Sequence, residues 1–584
     1  MIKTTYPASS KETGVPLSSL PTGLDGKDET SRTTNIESRA LRTDDVLVME
    51  FLAFWTDRPL EEVCGAIQTR LDLPPFVFDQ DERSRWGASY RDGVKYCASI
   101  PHELPSYPEW PAFPDDACNA SFVLLVGELC PHGDNPEWAS NVLVPQVAQA
   151  VAEATGGAVV HHKTWLLNDV NRAWSRVFFP AESMESLKPP PIDWGGVRPR
   201  TPRPAEEVPP GWAPFLRVTT NPLCRPAYNG PLDFAFVVHP RVFEENVRAF
   251  PEGRRLPRHL IAQMSHMKQC FVISWLQVRL GDRMLHGELL TIPFTPMDML
   301  ERLPEAREAI QAVQTYASSR RTGVLGLGAL IPSITRQGML LARRQGTVGL
   351  TTGHCFTALS IAEYVRKIEA VRGRERPVAV IGAAGSTGRA ATRCLLRDQS
   401  DRQLLLYDLP QRLGNIPRGP WWNPKLHSAT ADRADLRKAG IVVCVTNAPG
   451  SILSANDFAP DCVVLDDAQP ENVSYEALRE RPDLAVVKCL ARVPGLQCPF
   501  DFGLFSAGAH QLNQELTFTC LAETILLAAS DHLGSFTVGD PRDDQLDFIE
   551  AAANRYNIGV APFQSFPQIG TIDLERPRDR SREA

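Results

Sequence analysis

RPVAVIGAAGSTGRAATRCLLRD, residues 376–398, is the stretch whose reading decides the fold. Pro377 opens a four-residue apolar run, Val378–Ile381, short and β-branched enough for a buried strand. Gly382, Gly385 and Gly388 follow as GxxGxxG, and from Ser386 onward the pattern turns helical. A strand, a glycine turn and a helix in that order bring backbone N–H groups and the positive end of a helix up to a pyrophosphate. The unit therefore predicts a dinucleotide site, with Gly382, Gly385, Ser386, Thr387 and Gly388 as its phosphate-binding turn. Twenty residues after Gly388 the run QLLLY ends at Asp408, where a carboxylate can accept hydrogen bonds from a ribose. Three more apolar runs follow, GIVVCVT (440–446), DCVVLD (461–466) and LAVVK (484–488). Five strands with crossovers predict an α/β, Rossmann-type doubly wound parallel sheet over 377–499. Thr446 and Asn447 end the third of these strands at the carboxyl edge, where such folds collect ligands.

Outward from this unit the chain divides by composition. Residues 1–43 lack any apolar period and read as a disordered lead-in. Residues 44–182 alternate strand-like runs (VLVMEFLAF, ASFVLLVGEL, AVVHHKTWLL) with helical ones (RPLEEVCGAIQTRL, EWASNVLVPQVAQAVAEATG), predicting a separate small α/β domain. His161 and His162 are neighbours on its last strand and so face opposite sides, which suits ordinary strand residues better than metal ligands. Residues 183–222 are too rich in proline to continue helices or central strands and read as a stiff linker. Residues 223–376 form a substrate lobe, with helical stretches expected around 241–272 and 303–321 and a glycine loop VLGLGAL. Residues 500–574 hold helices expected to return to that lobe, and 575–584 are a charged tail.

Composition limits the function classes. The 584 residues are 43% hydrophobic and 22% charged, enough to bury several cores. A net charge of −8 argues against nucleic acid or an anionic membrane as the main partner, and no apolar run reaches the length of a membrane span. Thirteen cysteines, an odd number with no CxxC pair, suggest free thiols in a reducing cytoplasm rather than disulfides or a zinc ribbon, and no metal site is expected. The chain has no YxxxK, GxxxxGK[ST], HExxH or GxSxG motif, so short-chain dehydrogenase, phosphoryl-transfer, zinc-hydrolase and α/β-hydrolase chemistry have no anchor.

A reductase still needs a reactive group. After the nucleotide unit comes QLNQELTFTCLAETILLAA, a long apolar-periodic helix with Cys520 near its start. A cysteine near a helix N-terminus can have a lowered pKa, and a thiolate can attack a thioester. From about Phe234 to Phe563 the chain resembles the cyanobacterial-type long-chain acyl-(acyl-carrier-protein) reductases, which form aldehydes. The matching pieces run in the family's order: MSH at 264–266, LGLGALIPSI, TTG with a following TA at 351–358, VAVIGAAGSTG, Pro449-Gly450, the pattern Asp466, Pro470, Asn472, and FTCLAETILL. The resemblance implies an aldehyde-forming reduction of an acyl thioester by NADH or NADPH, with Cys520 as the nucleophile that carries the acyl group. It further implies a catalytic role for His266, a cofactor-side role for Thr351 and Thr352, and CoA or an acyl carrier protein as the thiol. His354, which stands where the family has asparagine, could itself orient or protonate the developing oxyanion as a catalytic residue. Cys355 stays a rival thiol, and His354 could instead cap the helix that follows it. Gly326 and Gly328 could lie beside the nicotinamide or acyl chain, or form a simple turn.

The departures are specific. The family's TTGN-x-HTA becomes TTGHCFTAL, and its paired glycines and tyrosine before P-x-N become Asp467, Ala468 and Gln469. A-R-N after the second strand becomes D-L-P, which puts Asp408 in place of a base suited to a 2′-phosphate and tilts the expectation towards NADH. Two other readings stay open: a dehydrogenase of a free keto or imine substrate, and a dinucleotide sensor without turnover.

Overall fold

The computed structural model describes residues 46–102, 119–132, 138–163, 174–178, 180, 230–241, 256–264, 271–344, 348–398, 400–481, 483–498, 515–565 and 574. The lead-in, the proline-rich linker, the charged tail and His266 lie outside the described residues.

The dinucleotide-type unit is a parallel sheet in the order His427–Thr430, Leu404–Tyr407, Val378–Ile381, Ile441–Cys444, Val463–Asp466, Ala485–Lys488, with Gln564–Ser565 added antiparallel at one edge. His427–Thr430, a half-exposed edge strand, is additional to the five expected; both faces of the five short apolar strands are covered. Val380, Leu406, Val443, Leu465 and Val487 look into one core, while Ala379, Leu405, Val442, Val464 and Val486 look into another. That is why the strands read as unbroken hydrophobic runs rather than alternating ones. The strand order reverses at Val378–Ile381, so a crevice opens at its carboxyl end, beside the glycine turn and Thr446.

The lobe is a second, mixed sheet, ordered Gly349–Thr351, Val324–Leu327, Phe234–Val238, Arg283–Thr291, Phe271–Leu280, Leu496–Gln497. Its first four strands are parallel. The helix Leu303–Ser319 seals one face through Ala306, Ile310 and Val313. The helix expected through 272 stops earlier: Arg258–Met264 is helical, but Phe271–Leu280 and Arg283–Thr291 form an antiparallel hairpin. Gly281 (φ +60) and Asp282 make its two-residue turn, a signal available in the alternating FVISWLQVRL-GD-RMLHGELL.

The N-terminal residues form their own seven-stranded sheet, antiparallel throughout, in the order Val77–Gln80, Ser84–Arg91, Val94–Pro101, Ala120–Gly127, Val46–Phe54, Val159–Lys163, Trp174–Phe178. Leu52, Phe54, Phe122 and Leu124 point to the helices Leu60–Leu71 and Val144–Thr155. Met49, Phe51, Trp86, Cys97 and Val123 point the other way, into a core shared with Leu256, Leu260 and Ile261 of the lobe. Polar contacts bind the same seam. Arg258 donates its backbone N–H to Asp81 (2.7 Å) and its guanidinium to Glu82 (2.7 Å), and Lys95 Nζ lies 3.1 Å from His259 Nε2. His161 is buried and bonded to Glu50 (2.7 Å), an interior polar pair. Among the described residues no helix is long and apolar enough to cross a membrane.

Candidate active site

The glycine turn is dictated by backbone proximity. Gly382 sits at φ +89, in the left-handed region that glycine adopts without a Cβ penalty. A Cβ on Gly388 would lie 2.2 Å from the Gly382 carbonyl oxygen, so only glycine lets the helix Ser386–Asp398 press against the strand before it. Asp408 is turned towards this turn and is 4% exposed. Its Oδ2 accepts the Ala384 N–H at 2.8 Å, and its Oδ1 accepts the Leu409 N–H at 2.9 Å. The Arg412 guanidinium stands 3.7 Å away with its side chain largely in solvent. Asp408 thus braces the phosphate-binding turn from the neighbouring strand, a task its place in the sequence did not announce.

Cys520 is the second residue of the helix Thr519–Ala529, which lies against the lobe sheet. Two glycines make that approach possible. A Cβ on Gly326 would lie 2.1 Å from Thr524 Oγ1, and one on Gly353 would lie 2.3 Å from Cys520 Cβ and 2.4 Å from Cys520 Cα. Gly326 and Gly328 are therefore packing glycines, the second making room for the Phe236 ring. Glu523, one turn after Cys520, is fully buried and fastens the helix to the TTG loop. Its Oε2 accepts the Phe356 N–H at 2.8 Å, at the start of the helix His354–Arg372, and its Oε1 accepts the Thr537 hydroxyl at 2.8 Å and that of Thr351. Thr351 is spent on this brace, and its neighbour is not. The Thr352 hydroxyl is buried with no hydrogen-bond partner, and Thr352 lines the cavity between the two sheets.

That cavity, with about 1170 Å³ of empty space counting its mouth, is where six of the predicted residues meet, while Gly382, Gly385, Ser386, Gly388, Asp408 and Thr351 do not line it. Cys520, His354 and Thr352 come from the lobe side, Thr387, Thr446 and Asn447 from the dinucleotide-type unit, and Asp467 from the end of the fifth strand. Phe236, Val238, Ile273, Leu327, Leu330 and Phe518 give it an apolar wall. His354 Nδ1 is 3.2 Å from Ser386 Oγ, tying the TTG loop to the glycine turn. Thr446 donates its hydroxyl to Asn472 Oδ1 at 2.7 Å.

The electrostatics correct one expectation. The Cys520 thiol is not acidified by its helix: burial first, then the Asp467 charge, push it up to about 12, and the nearby backbone N–H groups offset only part of this. Burial holds His354 neutral, with its pKa down to about 4, so the imidazole enters the site uncharged. Asp467 is pushed up to about 7 by burial, against the pull of the Lys488 ammonium. Cys355 is fully buried, 3.2 Å from Thr537 Oγ1 and absent from the cavity wall, so it is no rival for Cys520 in reaching a ligand there. Asp467 and Glu523 escaped the sequence reading as site residues. Two adjacent carboxylates at the carboxyl end of a parallel strand, Asp466-Asp467, were the available signal for the first.

No family model matches the sequence. Among solved structures, the chain is similar to the NAD-dependent malic enzyme of Thermotoga maritima, at 14% identity over 65% of this chain and 99% of that one, TM-score 0.26. It is similar to shikimate 5-dehydrogenase of Thermus thermophilus, solved with NADP(H) and shikimate, at 16% identity over 56% and 99%, TM-score 0.23. A D-isomer specific 2-hydroxyacid dehydrogenase of Lactobacillus delbrueckii ssp. bulgaricus, solved with NAD, aligns at 15% identity over 30% and 60%, TM-score 0.17.

Proposed function

We propose that the chain is a nicotinamide-dinucleotide-dependent oxidoreductase that reduces an acyl thioester to an aldehyde through an acyl group carried on Cys520. The observation that carries this reading is the convergence of Cys520 with the carboxyl edge of the dinucleotide-type sheet on one largely apolar cavity. The residues suit a dinucleotide. The turn at Gly382, Gly385 and Gly388 leads from a parallel strand into the helix Ser386–Asp398, an arrangement that receives a pyrophosphate, and the Thr352 hydroxyl is a buried polar group wanting a partner. The turn with Ser386 and Thr387 would hold the phosphates, and Thr446, Asn447 and Thr352 the nicotinamide end. A reduced nicotinamide bound there supplies a hydride.

The protein's own residues then have distinct tasks. The Cys520 sulfur attacks the thioester carbonyl carbon, a carbon–sulfur bond forms, and the bond to the departing thiol breaks as that thiol takes up a proton. The apolar wall holds the acyl chain and excludes water that would hydrolyse the new thioester. Neutral His354, held by Ser386, can donate a hydrogen bond to the carbonyl oxygen without adding a charge. The thiol that enters on the substrate is that of CoA or an acyl carrier protein.

Incubation with an acyl N-acetylcysteamine thioester and no reductant tests this. An acyl group on the Cys520 peptide, released by hydroxylamine and absent in Cys520→Ala, is the expected result. Cys520→Ala should bind dinucleotide normally and form no aldehyde. One observation favours a second reading, a dehydrogenase of a free carbonyl substrate: the thiol's high pKa leaves little thiolate at neutral pH. Turnover retained by Cys520→Ala would select it.

A further inference from the structure

Asp467 stands where the resembled family has glycine, and the fold brings it to the cavity that Cys520 lines, close enough for its charge to raise the thiol's pKa. It follows the fifth parallel strand, Val463–Asp466, and its backbone N–H is bonded to the Cys444 carbonyl at 3.0 Å, which fixes the residue at the sheet's carboxyl edge. Both Asp467 and Cys520 line the cavity, along with Thr519 between them. Thr519 Oγ1 is 3.5 Å from Asp467 Oδ1 and 2.7 Å from Thr357 Oγ1, so the helix turn that carries Cys520 is registered against this carboxylate.

The two carboxylates in the sequence Asp466-Asp467 have opposite uses. Asp466 is buried and consumed by its own loop, accepting N–H groups of Ala468 (3.0 Å) and Asn472 (2.9 Å). Asp467 keeps an open side towards the cavity and has few strong bonds, the Cys489 thiol and the Thr519 hydroxyl being its side-chain partners. The groups facing it are Asp466 on its own strand, Lys488 and Cys489 at the end of the next strand, and Thr519 and Cys520 on the helix. Lys488 is itself engaged by Glu471 (3.1 Å) and the Ala468 carbonyl (3.2 Å), and Glu471 by Arg241 (2.9 Å). The charge under the site is therefore balanced on one side, and among the described residues Asp467 is the one carboxylate that lines the cavity.

We infer that Asp467 is the proton acceptor that activates Cys520, taking the thiol proton as sulfur attacks and returning it to the departing thiol. This rests on the acyl-transfer reading above. The step balances: the S–H bond of Cys520 breaks as the new carbon–sulfur bond forms. The protonated Asp467 then gives that proton to the thiolate expelled from the substrate, which leaves as CoA-SH or carrier-SH. No oxidant or reductant enters. A carboxyl that titrates near neutrality, as burial makes this one do, is matched to such a task.

The test is the pH dependence of Cys520 acylation by an acyl N-acetylcysteamine thioester without reductant, followed by mass spectrometry in the full-length protein. Wild type should rise through a limb centred near pH 7 and then level off. Asp467→Asn should lose that limb and acylate at least ~10²-fold more slowly at pH 7.5. Its alkylation by iodoacetamide should be no slower, because removing a negative charge beside the thiol favours the thiolate. Asp467→Glu should regain the limb. The inference is overturned if wild-type acylation climbs tenfold per pH unit through pH 9, which needs no variant to fold, or if Asp467→Asn keeps the limb. Either outcome leaves the acyl-transfer reading intact. A wild-type protein that takes no acyl group on Cys520 at any pH overturns that reading, and the role of Asp467 with it.

Discussion

Gly353→Ala tests the geometry on which the site depends, and it does so without assuming any substrate. Gly353 has φ +76, which costs an alanine about 1–2 kcal/mol. Its new Cβ would sit 2.3 Å from Cys520 Cβ and 2.4 Å from Cys520 Cα. Backbone cannot swing away like the end of a flexible side chain, so the helix Thr519–Ala529 must shift, and overpacking of this kind costs a further 1–3 kcal/mol or so. The sum, about 2–5 kcal/mol, is a large part of the stability of an ordinary domain. Urea unfolding followed by tryptophan fluorescence should show a lower midpoint. Gly414→Ala, at a position with open space and no positive φ, should stay within about 0.5 kcal/mol of wild type. At the site, moving Cys520 by about 1 Å should cost on the order of 10²-fold in its acylation. If Gly353→Ala unfolds at the wild-type midpoint and its Cys520 reacts at the wild-type rate, the TTG loop does not press on Cys520 and the packing argument fails.

Asp408→Ala should weaken NADH and NADPH binding together, by roughly tenfold for one lost charge-assisted bond, because Asp408 holds the Ala384 N–H of the glycine turn; fluorescence titration with both nucleotides that shows only a changed preference would contradict the brace. A chain beginning at Thr219 should aggregate on size-exclusion chromatography, since the core face that Leu256, Leu260 and Ile261 share with Phe51, Trp86 and Val123 would be bared; a well-behaved monomer would show the N-terminal sheet to be dispensable. Asp467 has a folded-state pKa of about 7, above its unfolded value, so it opposes folding once ionised: stability is lost as pH rises from about 4 to about 7. Asp467→Asn should then be more stable than wild type at pH 8 and lose that advantage at pH 5, as read from urea midpoints at the two pH values.

The parallel sheet was legible because five of its strands are buried on both faces, so Val378–Ile381 and its companions carry the signal in composition alone; the half-exposed edge strand His427–Thr430 carries no such signal and was missed. The antiparallel hairpin of the lobe was not read, although its two-residue turn at Gly281-Asp282 was visible, because its strands follow an apolar stretch that suits helix equally well. The cavity residues were named from motifs, but their division of labour was hidden. Thr351 and Thr352 are neighbours in one triplet, yet one hydroxyl is bound to Glu523 and the other is buried without a partner. That difference depends on a helix more than 160 residues later in the chain, and no local pattern records it. The docking of the N-terminal sheet was equally invisible, since a proline-rich linker states that two units are joined and says nothing about whether their faces meet.

The state of the Cys520 thiol shows why the site's parts need one another. A cysteine at a helix start is expected to be acidic, because backbone N–H groups there favour the thiolate. Here the same packing that places Cys520 against Gly353 leaves the residue only partly exposed, and the loss of hydration outweighs the helix by enough to push the thiol to about 12. A thiol so weakly ionised is protected from adventitious oxidation and alkylation, which follow thiolate character, but it is slow to attack a thioester unaided. Reactivity then has to be supplied at the moment of attack by a base close at hand, rather than stored as a standing thiolate. In a cavity where burial keeps His354 neutral and Glu523 is committed to bracing the TTG loop, Asp467 is the group with both the position and the proton affinity to supply it.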